Sequence, residues 1–460
     1  IRRQRQMCIR DRIYTEPFDI KTLSDPDFSL STFTRMIYSC LVDADFLDTE
    51  YFMKNGLVER QSGQSMNILL KKLENRILDW LKNNDIDTVN GRRTEILRNC
   101  IEEEKRNRGI FRLTVPTGGG KTIASLAFAL NHAVKHHMDR IIYVVPYISV
   151  IEQNAEVFRE ILGNENVLEN HSNVDYEDSE ELRPMQLASE NWDKPIVVTT
   201  NVQFFESLFS NKSSKCRKIH NIANSVIILD EAQMLPMDYL IPCTAMLQEL
   251  VQNYKTSIVL CTATQPSLDN FFGQIENFVE LCPRMEEQFE FFRRVTYQNI
   301  GNISKENMAE RLKKEQRALC IVNTRKRAQE LYQLLKSEGV YHLSTTMYPK
   351  HRKKVLANVK ERLDNKDRCI LIATSLVEAG VDLDFLSVYR QIAGIDSLIQ
   401  AAGRCNRNGN ESTEESKVYI YDFEDSKVIP SQQKKIDVTK SVVQDLSLIH
   451  ISEPTRRRGI

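Results

Sequence analysis

Two short stretches hold most of the chemistry available to this sequence. The first is PTGGGKT, residues 116 to 122, which follows the apolar run FRLTV and precedes the helical pattern ASLAFALNHAVKH. Gly118, Gly119 and Gly120 allow backbone N–H groups to close around phosphate oxygens. A helix beginning near Ile123 adds its dipole and unpaired donors. Lys121 is expected to reach the β- and γ-phosphates of ATP, Thr122 to give its hydroxyl to Mg2+, and Thr117 to line the turn. The strict phosphate-loop pattern begins with glycine where Val115 stands here. The second stretch is DEAQ, residues 230 to 233, at the end of the apolar run SVIILD. Asp230 suits Mg2+ held through its water shell, and Glu231 suits proton removal from an attacking water. Gln233 is expected to connect the nucleotide to a domain interface. A solvated acidic turn is the plain alternative for DEAQ, and a simple strand–helix turn for the glycines.

A phosphate loop and an acidic pair also serve kinases and transporters, so a third stretch, QAAGRCNR at residues 400 to 407, is needed to choose. Placed on a helix, Arg404 and Arg407 share a face. There they can reach across a cleft to the γ-phosphate and neutralise transition-state charge, with Arg407 as the finger, Arg404 in support and Gln400 beside the nucleotide. In SLVEAGVDLDF, residues 375 to 385, Gly380 and Asp382 are expected on the nucleotide side, and Thr374 and Ser375 on the side of a bound strand. Thr262, Ala263 and Thr264 of CTATQPS form a candidate hinge coupling hydrolysis to movement. Phosphate-backbone contacts are expected from Pro146 and Tyr147 in VVPY, from Thr199, Thr200, Asn201 and Gln203 in TTNVQFF, and from Thr324 and Arg325 in NTRKRA. Such hydroxyls and amides suit a sugar-phosphate track that needs no base reading, although Thr and Asn also cap helices.

Two α/β series must position these residues. FRLTV, RIIYVV, PIVVTT, SVIILD and SIVLCTAT read as strands buried on both faces, with helices packed between them; RALCIVNT, CILIATS, SVYRQI and KVYIYDF repeat the pattern downstream. Residues 86–290 and 291–430 are therefore expected as two parallel α/β lobes, with 13–85 ahead of them and 431–445 as a truncated linker. The polar stretch 173–195 reads as a surface excursion. The opening IRRQRQMCIRDR (1–12) and closing LSLIHISEPTRRRGI (446–460) resemble translated sequencing-adapter read-through; genuine basic tails are the alternative. Lys and Arg number 62 against 63 Asp and Glu, for a formal net charge of −1. That balance excludes a whole-molecule basic field, so nucleic-acid contact must come from a local channel. Ten scattered cysteines without a CxxC pair, no long apolar run and no signal peptide suggest reduced thiols in a cytoplasmic protein, without membrane contact.

The ordered set PTGGGKT, VVPY, TTNVQFF, DEAQ, TAT, VEAGVDLDF and QAAGRCNR resembles superfamily 2 helicases. It is closer still to the signature helicase-nuclease of type I CRISPR-Cas systems. The resemblance spans about 90 to 425 and extends upstream, where TRMIYSCLVDADFLDTEYF, residues 34 to 52, resembles the last helix of that family's HD nuclease. It implies two tandem RecA-like lobes preceded by a helical HD remnant. It also implies a motor recruited to an R-loop by an RNA-guided, Cascade-like surveillance complex, which moves 3′ to 5′ on single-stranded DNA. Asp45, or less so Asp43, is implied as a vestigial metal aspartate. A transition metal would bind only in a full HD domain, since the first histidine here is His132, and the chain as given is not expected to cut DNA. An RNA helicase or restriction-type translocase would use the same ATPase residues, while an ATP-binding switch without turnover is the reading from another class.

Overall fold

A computed structural model describes residues 25–56, 60, 62–171, 183–263, 271–272, 278–378, 380–409, 411–426 and 430–445. Both stretches assigned to adapter-like sequence, and Thr264, lie outside the described residues.

The first lobe is a seven-stranded parallel sheet in the order β3-β4-β2-β5-β6-β1-β7. Its strands are β1 (Ile110–Thr114), β2 (Arg140–Val145), β3 (Val167–Asn170), β4 (Ile196–Thr200), β5 (Ser225–Leu229), β6 (Ser257–Thr262) and β7 (Val279–Glu280). Every residue of β2, β5 and β6 is buried. Strands covered on both faces have no solvent side to make polar, hence the unbroken apolar runs. The second lobe is a six-stranded parallel sheet, β10-β11-β9-β12-β13-β8. It is built from β8 (Thr296–Ile303), β9 (Arg317–Ile321), β10 (Val340–Leu343), β11 (Cys369–Ala373), β12 (Ser387–Gln391) and β13 (Lys417–Phe423). These are tandem RecA-like lobes, as the motif order implied.

The α-helices of eight or more described residues are α1 (Pro26–Met53), α2 (Met66–Ile77), α3 (Val89–Glu102), α4 (Lys121–Lys135), α5 (Ile148–Leu162), α6 (Arg183–Asn191), α7 (Asn201–Phe209), α8 (Leu240–Asn253), α9 (Lys305–Lys313), α10 (Arg325–Leu335), α11 (Pro349–Asp364), α12 (Ile395–Ala402) and α13 (Pro430–Asp445). In the first lobe one apolar layer gathers Leu69, Leu73 and Ile77 of α2 with Leu126 and Leu130 of α4 and Phe158 of α5. The opposite layer holds Phe204, Leu208, Leu247 and Leu250. The structure therefore corrects the expected boundary at residue 86, because α2 belongs to the same core as the phosphate-loop helix.

Two further sequence expectations need correction. The excursion expected over 173–195 is not all surface. Within its described part Trp192 is fully buried, stacked on Phe204 at 6.4 Å, with its indole nitrogen donating to Asn170 Oδ1 at 3.1 Å. One indole carries enough apolar area to draw a polar segment into the core. On α1, Asp45 is exposed and Asp43 is the buried carboxylate. Arg217 Nη2 lies 2.9 Å from Asp43 Oδ1, and Asn191 Nδ2 donates to Oδ2 at 3.1 Å. Asp43 thus fastens α1 to the first lobe, and Asp45 faces solvent. Among the described residues no group of three or more His, Cys, Asp or Glu could hold a metal ion, and no helix is long and apolar enough to cross a membrane. His132 is a core residue, stacked on Phe128 and bonded through Nε2 to Ser257 Oγ at 2.9 Å. The nine described cysteines are all free.

Candidate active site between the two lobes

The site grows from the C-terminal ends of β1, β5 and β6, where a parallel sheet opens toward ligands. After β1 the chain turns through Gly118 (φ +87) and Gly120 (φ +86), left-handed positions that a side chain strains, and Gly120 caps α4. Gly119 is needed for a different reason. A Cβ there would sit 2.5 Å from Val115 Cγ1. Val115 is itself buried, so the residue that breaks the strict motif is a core side chain under the loop. Helix α4 starts at Lys121, two residues ahead of the position expected from sequence.

Lys121 Nζ lies 2.8 Å from Asp230 Oδ1 and 2.5 Å from Glu231 Oε1. Glu231 holds a left-handed backbone (φ +50) that turns its carboxylate toward the lysine. Gln233 Nε2 donates to Glu231 Oε2 at 2.6 Å, and Thr262 Oγ1 donates to Gln233 Oε1 at 2.8 Å. Phosphate loop, acidic pair and the end of β6 are thereby joined in one hydrogen-bonded line. Tyr143 of β2 donates to Asp230 Oδ2 at 3.2 Å from beneath. Burial works against the Lys121 ammonium, but the two carboxylates outweigh it and raise its pKa. Burial raises Asp230, whereas for Glu231 the lysine overcomes burial and lowers it.

The second lobe closes over this site. Thr117 packs on Gly403, where an added Cβ would meet Thr117 Cγ2 at 3.3 Å, and Lys353 of α11 lies 2.9 Å from Glu152 of α5. Here the structure corrects the sequence expectation for the arginines. Helix α12 ends at Ala402, with Gly403 as its C-cap, so Arg404 and Arg407 lie on the following turn and share no helix face. Asn406 has φ +47, and its amide bonds the carbonyl of Glu411 at 2.7 Å, which turns the chain away from helix. Arg404 is buried, donating from Nε to the Val377 carbonyl (3.0 Å) and from Nη2 to that of Glu378 (2.7 Å). Burial, with Arg407 nearby, brings its pKa down to about 10. Arg407 Nε lies 2.8 Å from Asp382 Oδ1, so Asp382 holds the arginine. Gly380 adopts φ +71 just ahead of it.

Two arginines absent from the sequence reading complete the cleft. Arg93 of α3 donates from Nε to the Gly118 carbonyl at 2.7 Å. Arg294, on the segment leading into β8, donates to the Arg407 carbonyl, and its guanidinium would meet a Gly118 Cβ at 3.0 Å. Burial first, then mutual repulsion with Arg407, lowers the pKa of Arg93; burial, Arg93 and Arg407 lower that of Arg294. Nothing in GRRTEIL or FFRRV marks either residue, because both arrive through tertiary packing. Three guanidiniums around a phosphate loop create a setting that favours an anion. Arg294 Nη2 and the Gln400 side-chain nitrogen are buried without a hydrogen-bond partner among the described residues. These unpaired donors and the three guanidiniums fit the phosphates of a nucleotide.

The strand-contact candidates divide. Thr199 is fully buried with its hydroxyl bonded to the Asn170 carbonyl at 2.8 Å, and Thr374 is also buried, which withdraws both side chains from a surface track. Thr200 and Thr324 cap α7 and α10 through Gln203 N and Arg327 N. Ser375, Thr324 and Arg325 are exposed, Pro146 and Gln203 partly exposed, and Asn201 buried. Tyr147 faces the cleft, its pKa pushed up to about 12 by burial and then by Glu378, Glu231 and Asp396. Ala263 is buried beside Thr262.

Comparison with known proteins agrees with this layout. A DEAD/DEAH box helicase model matches residues 94–271, and a model of the C-terminal part of CRISPR-associated nuclease/helicase Cas3 matches 314–410. The Cas3 nuclease/helicase of Haloferax volcanii is 26% identical, the match covering 72% of this chain and 48% of the relative. That of Methanothermobacter thermautotrophicus is 25% identical over 72% and 43%. The chain spans about half the length of the curated relatives it matches. T. fusca Cas3 with AMPPNP superposes with a TM-score of 0.58 at 16% identity, covering 74% of this chain and 48% of that one. A CRISPR RNA-guided surveillance complex before nicking gives 0.54 at 17%, covering 75% and 48%. At such identity these two structures speak for the fold. With its two tandem α/β lobes and the match at residues 94–271, the chain resembles the two-lobed core of a DEAD/DEAH box helicase. Within that class the chain resembles the CRISPR-associated nuclease/helicase Cas3, in both its matched C-terminal segment and its relatives.

Proposed function

We propose that this chain is the motor of a CRISPR interference helicase, hydrolysing ATP between its lobes to move along single-stranded DNA. The observation that carries the reading is the line Lys121–Glu231–Gln233–Thr262 facing Arg404 and Arg407 across a closed cleft. Lys121 holds the transferring phosphate and the N–H groups of 118 to 120 cradle its neighbours. Thr122 and Asp230 would hold Mg2+, which would neutralise phosphate charge. Glu231 takes the proton of the attacking water, while Arg404 and Arg407, with Arg93 and Arg294 behind them, meet the charge that develops. Gln233 and Thr262 report the nucleotide state to the end of β6. The DNA track runs over Tyr147, Thr200, Gln203, Thr324, Arg325 and Ser375. The similarity to a CRISPR RNA-guided surveillance complex supports such a complex as the setting; R-loop DNA as the substrate and α1 as part of a nuclease domain are what the motif resemblance implies.

A biotinylated 60-mer carrying streptavidin tests this reading. ATP-dependent streptavidin release from single-stranded DNA, faster from the 5′ end as 3′-to-5′ movement requires, is the expected result. Faster release from RNA would make the chain an RNA helicase. ATP binding with neither turnover nor release from either polymer would leave a switch.

A further inference from the structure

The sequence SVYRQI places a charge inside the fully buried strand β12, in the middle of the second sheet. The side chain of Arg390 is 3% exposed, and its Nε lies 2.7 Å from Oε1 of Glu378, itself 4% exposed. Taking two such ions out of water costs several kcal/mol each, and an apolar pair of similar volume commonly serves stability as well or better. The geometry offers another use for them. Arg390 Nη1 donates to Asn323 Oδ1 at 2.6 Å, so one guanidinium joins Glu378 to the turn after β9. Asn323 is fastened there by its own amide to the Ile392 carbonyl at 2.8 Å, next to exposed Thr324 and Arg325. At the other end, the Glu378 carbonyl is one of the two that orient Arg404 at the ATP cleft. Four groups, Asn323, Arg390, Glu378 and Arg404, thus run without a break from the proposed DNA track to the proposed γ-phosphate.

We propose that Glu378 and Arg390 are positioning residues that transmit strand binding at the 323–325 turn to Arg404. The proposal rests on the motor reading above. A strand that pulls on Thr324 and Arg325 shifts Asn323; the planar fork of Arg390, also anchored by donating to the Gln391 carbonyl at 2.6 Å, leaves no slack between Asn323 and Glu378, so Glu378 and the carbonyl holding Arg404 shift with it. Lysine in place of Arg390 keeps a positive charge for Glu378 but has no second arm for Asn323.

The test uses the full chain and compares kcat for ATP with and without saturating single-stranded DNA in wild type, Arg390→Lys and Asn323→Ala, with thermal melting as the check on folding. Loss of stimulation in wild type itself would overturn the motor reading and this relay with it. With wild type stimulated, the ratio of stimulated to unstimulated kcat is expected to fall about five- to thirtyfold in Arg390→Lys, at unchanged DNA affinity. Asn323→Ala, at the partly exposed end of the line, is expected to show the same loss, and decides the matter if Arg390→Lys fails to fold. A wild-type ratio, within about twofold, in the folded variants would overturn the relay alone.

Discussion

Glu231→Gln is expected to slow ATP hydrolysis by roughly 10² to 10⁴ while the protein still binds ATP. The amide keeps the shape of the side chain and can still meet Gln233, but it cannot accept the proton of the attacking water. Lys121→Ala also removes turnover, yet it is the less informative change. It strips the shared cation from buried Asp230 and half-buried Glu231, side by side, so part of its effect is destabilisation. For Glu231→Gln the nucleotide affinity, measured with a fluorescent ATP analogue, should stay close to that of wild type. Hydrolysis near the wild-type rate in this variant, with contaminating ATPases excluded, would remove Glu231 from the chemistry.

Arg407→Ala is expected to lose roughly 10³ to 10⁵ in kcat, with a far smaller change in ATP affinity. A finger acts on charge that exists only in the transition state, so its removal appears in kcat. In the structure Arg407 is held by Asp382 at 2.8 Å, with its backbone amide fixed by Asp384 Oδ1 at 2.7 Å. On the proposed finger role, Arg407 must leave Asp382 to meet the γ-phosphate. Asp382→Asn, which weakens that hold, should retain turnover where Arg407→Ala does not. Steady-state kinetics on both variants decide between roles. A raised KM with intact kcat in Arg407→Ala would make the arginine a ground-state binding residue.

Most of the site was legible because its parts are local. The glycines, Lys121, Asp230 and Glu231 sit at strand ends, and a parallel strand buried on both faces announces its own end by the first polar residue after an apolar run. The edge strands β3, β7, β8 and β10 carry no long apolar run to announce them, because an edge position does not require one. The turn carrying Arg404 and Arg407 was misread as helix. Its apolar spacing continues that of α12, while Gly403 and the left-handed Asn406 end the helix locally. Arg93 and Arg294 could not be seen at all. Their place beside Gly118 depends on how α3 packs on α4 and on the path between the lobes. The burial of Asp43 and the exposure of Asp45 are not legible for a related reason: the two differ only once α1 meets Arg217 and Asn191. A signal was available for Arg390, since a charge within SVYRQI must find a partner if the strand is central.

The most direct measurement of the motor reading is steady-state ATP turnover by the purified chain, with Mg2+, in the absence of polymer, with single-stranded DNA and with RNA of the same length. Turnover stimulated strongly by single-stranded DNA, weakly by RNA and abolished by Glu231→Gln is the predicted result. Turnover indifferent to both polymers, or unchanged by Glu231→Gln, would contradict a DNA motor built on this cleft.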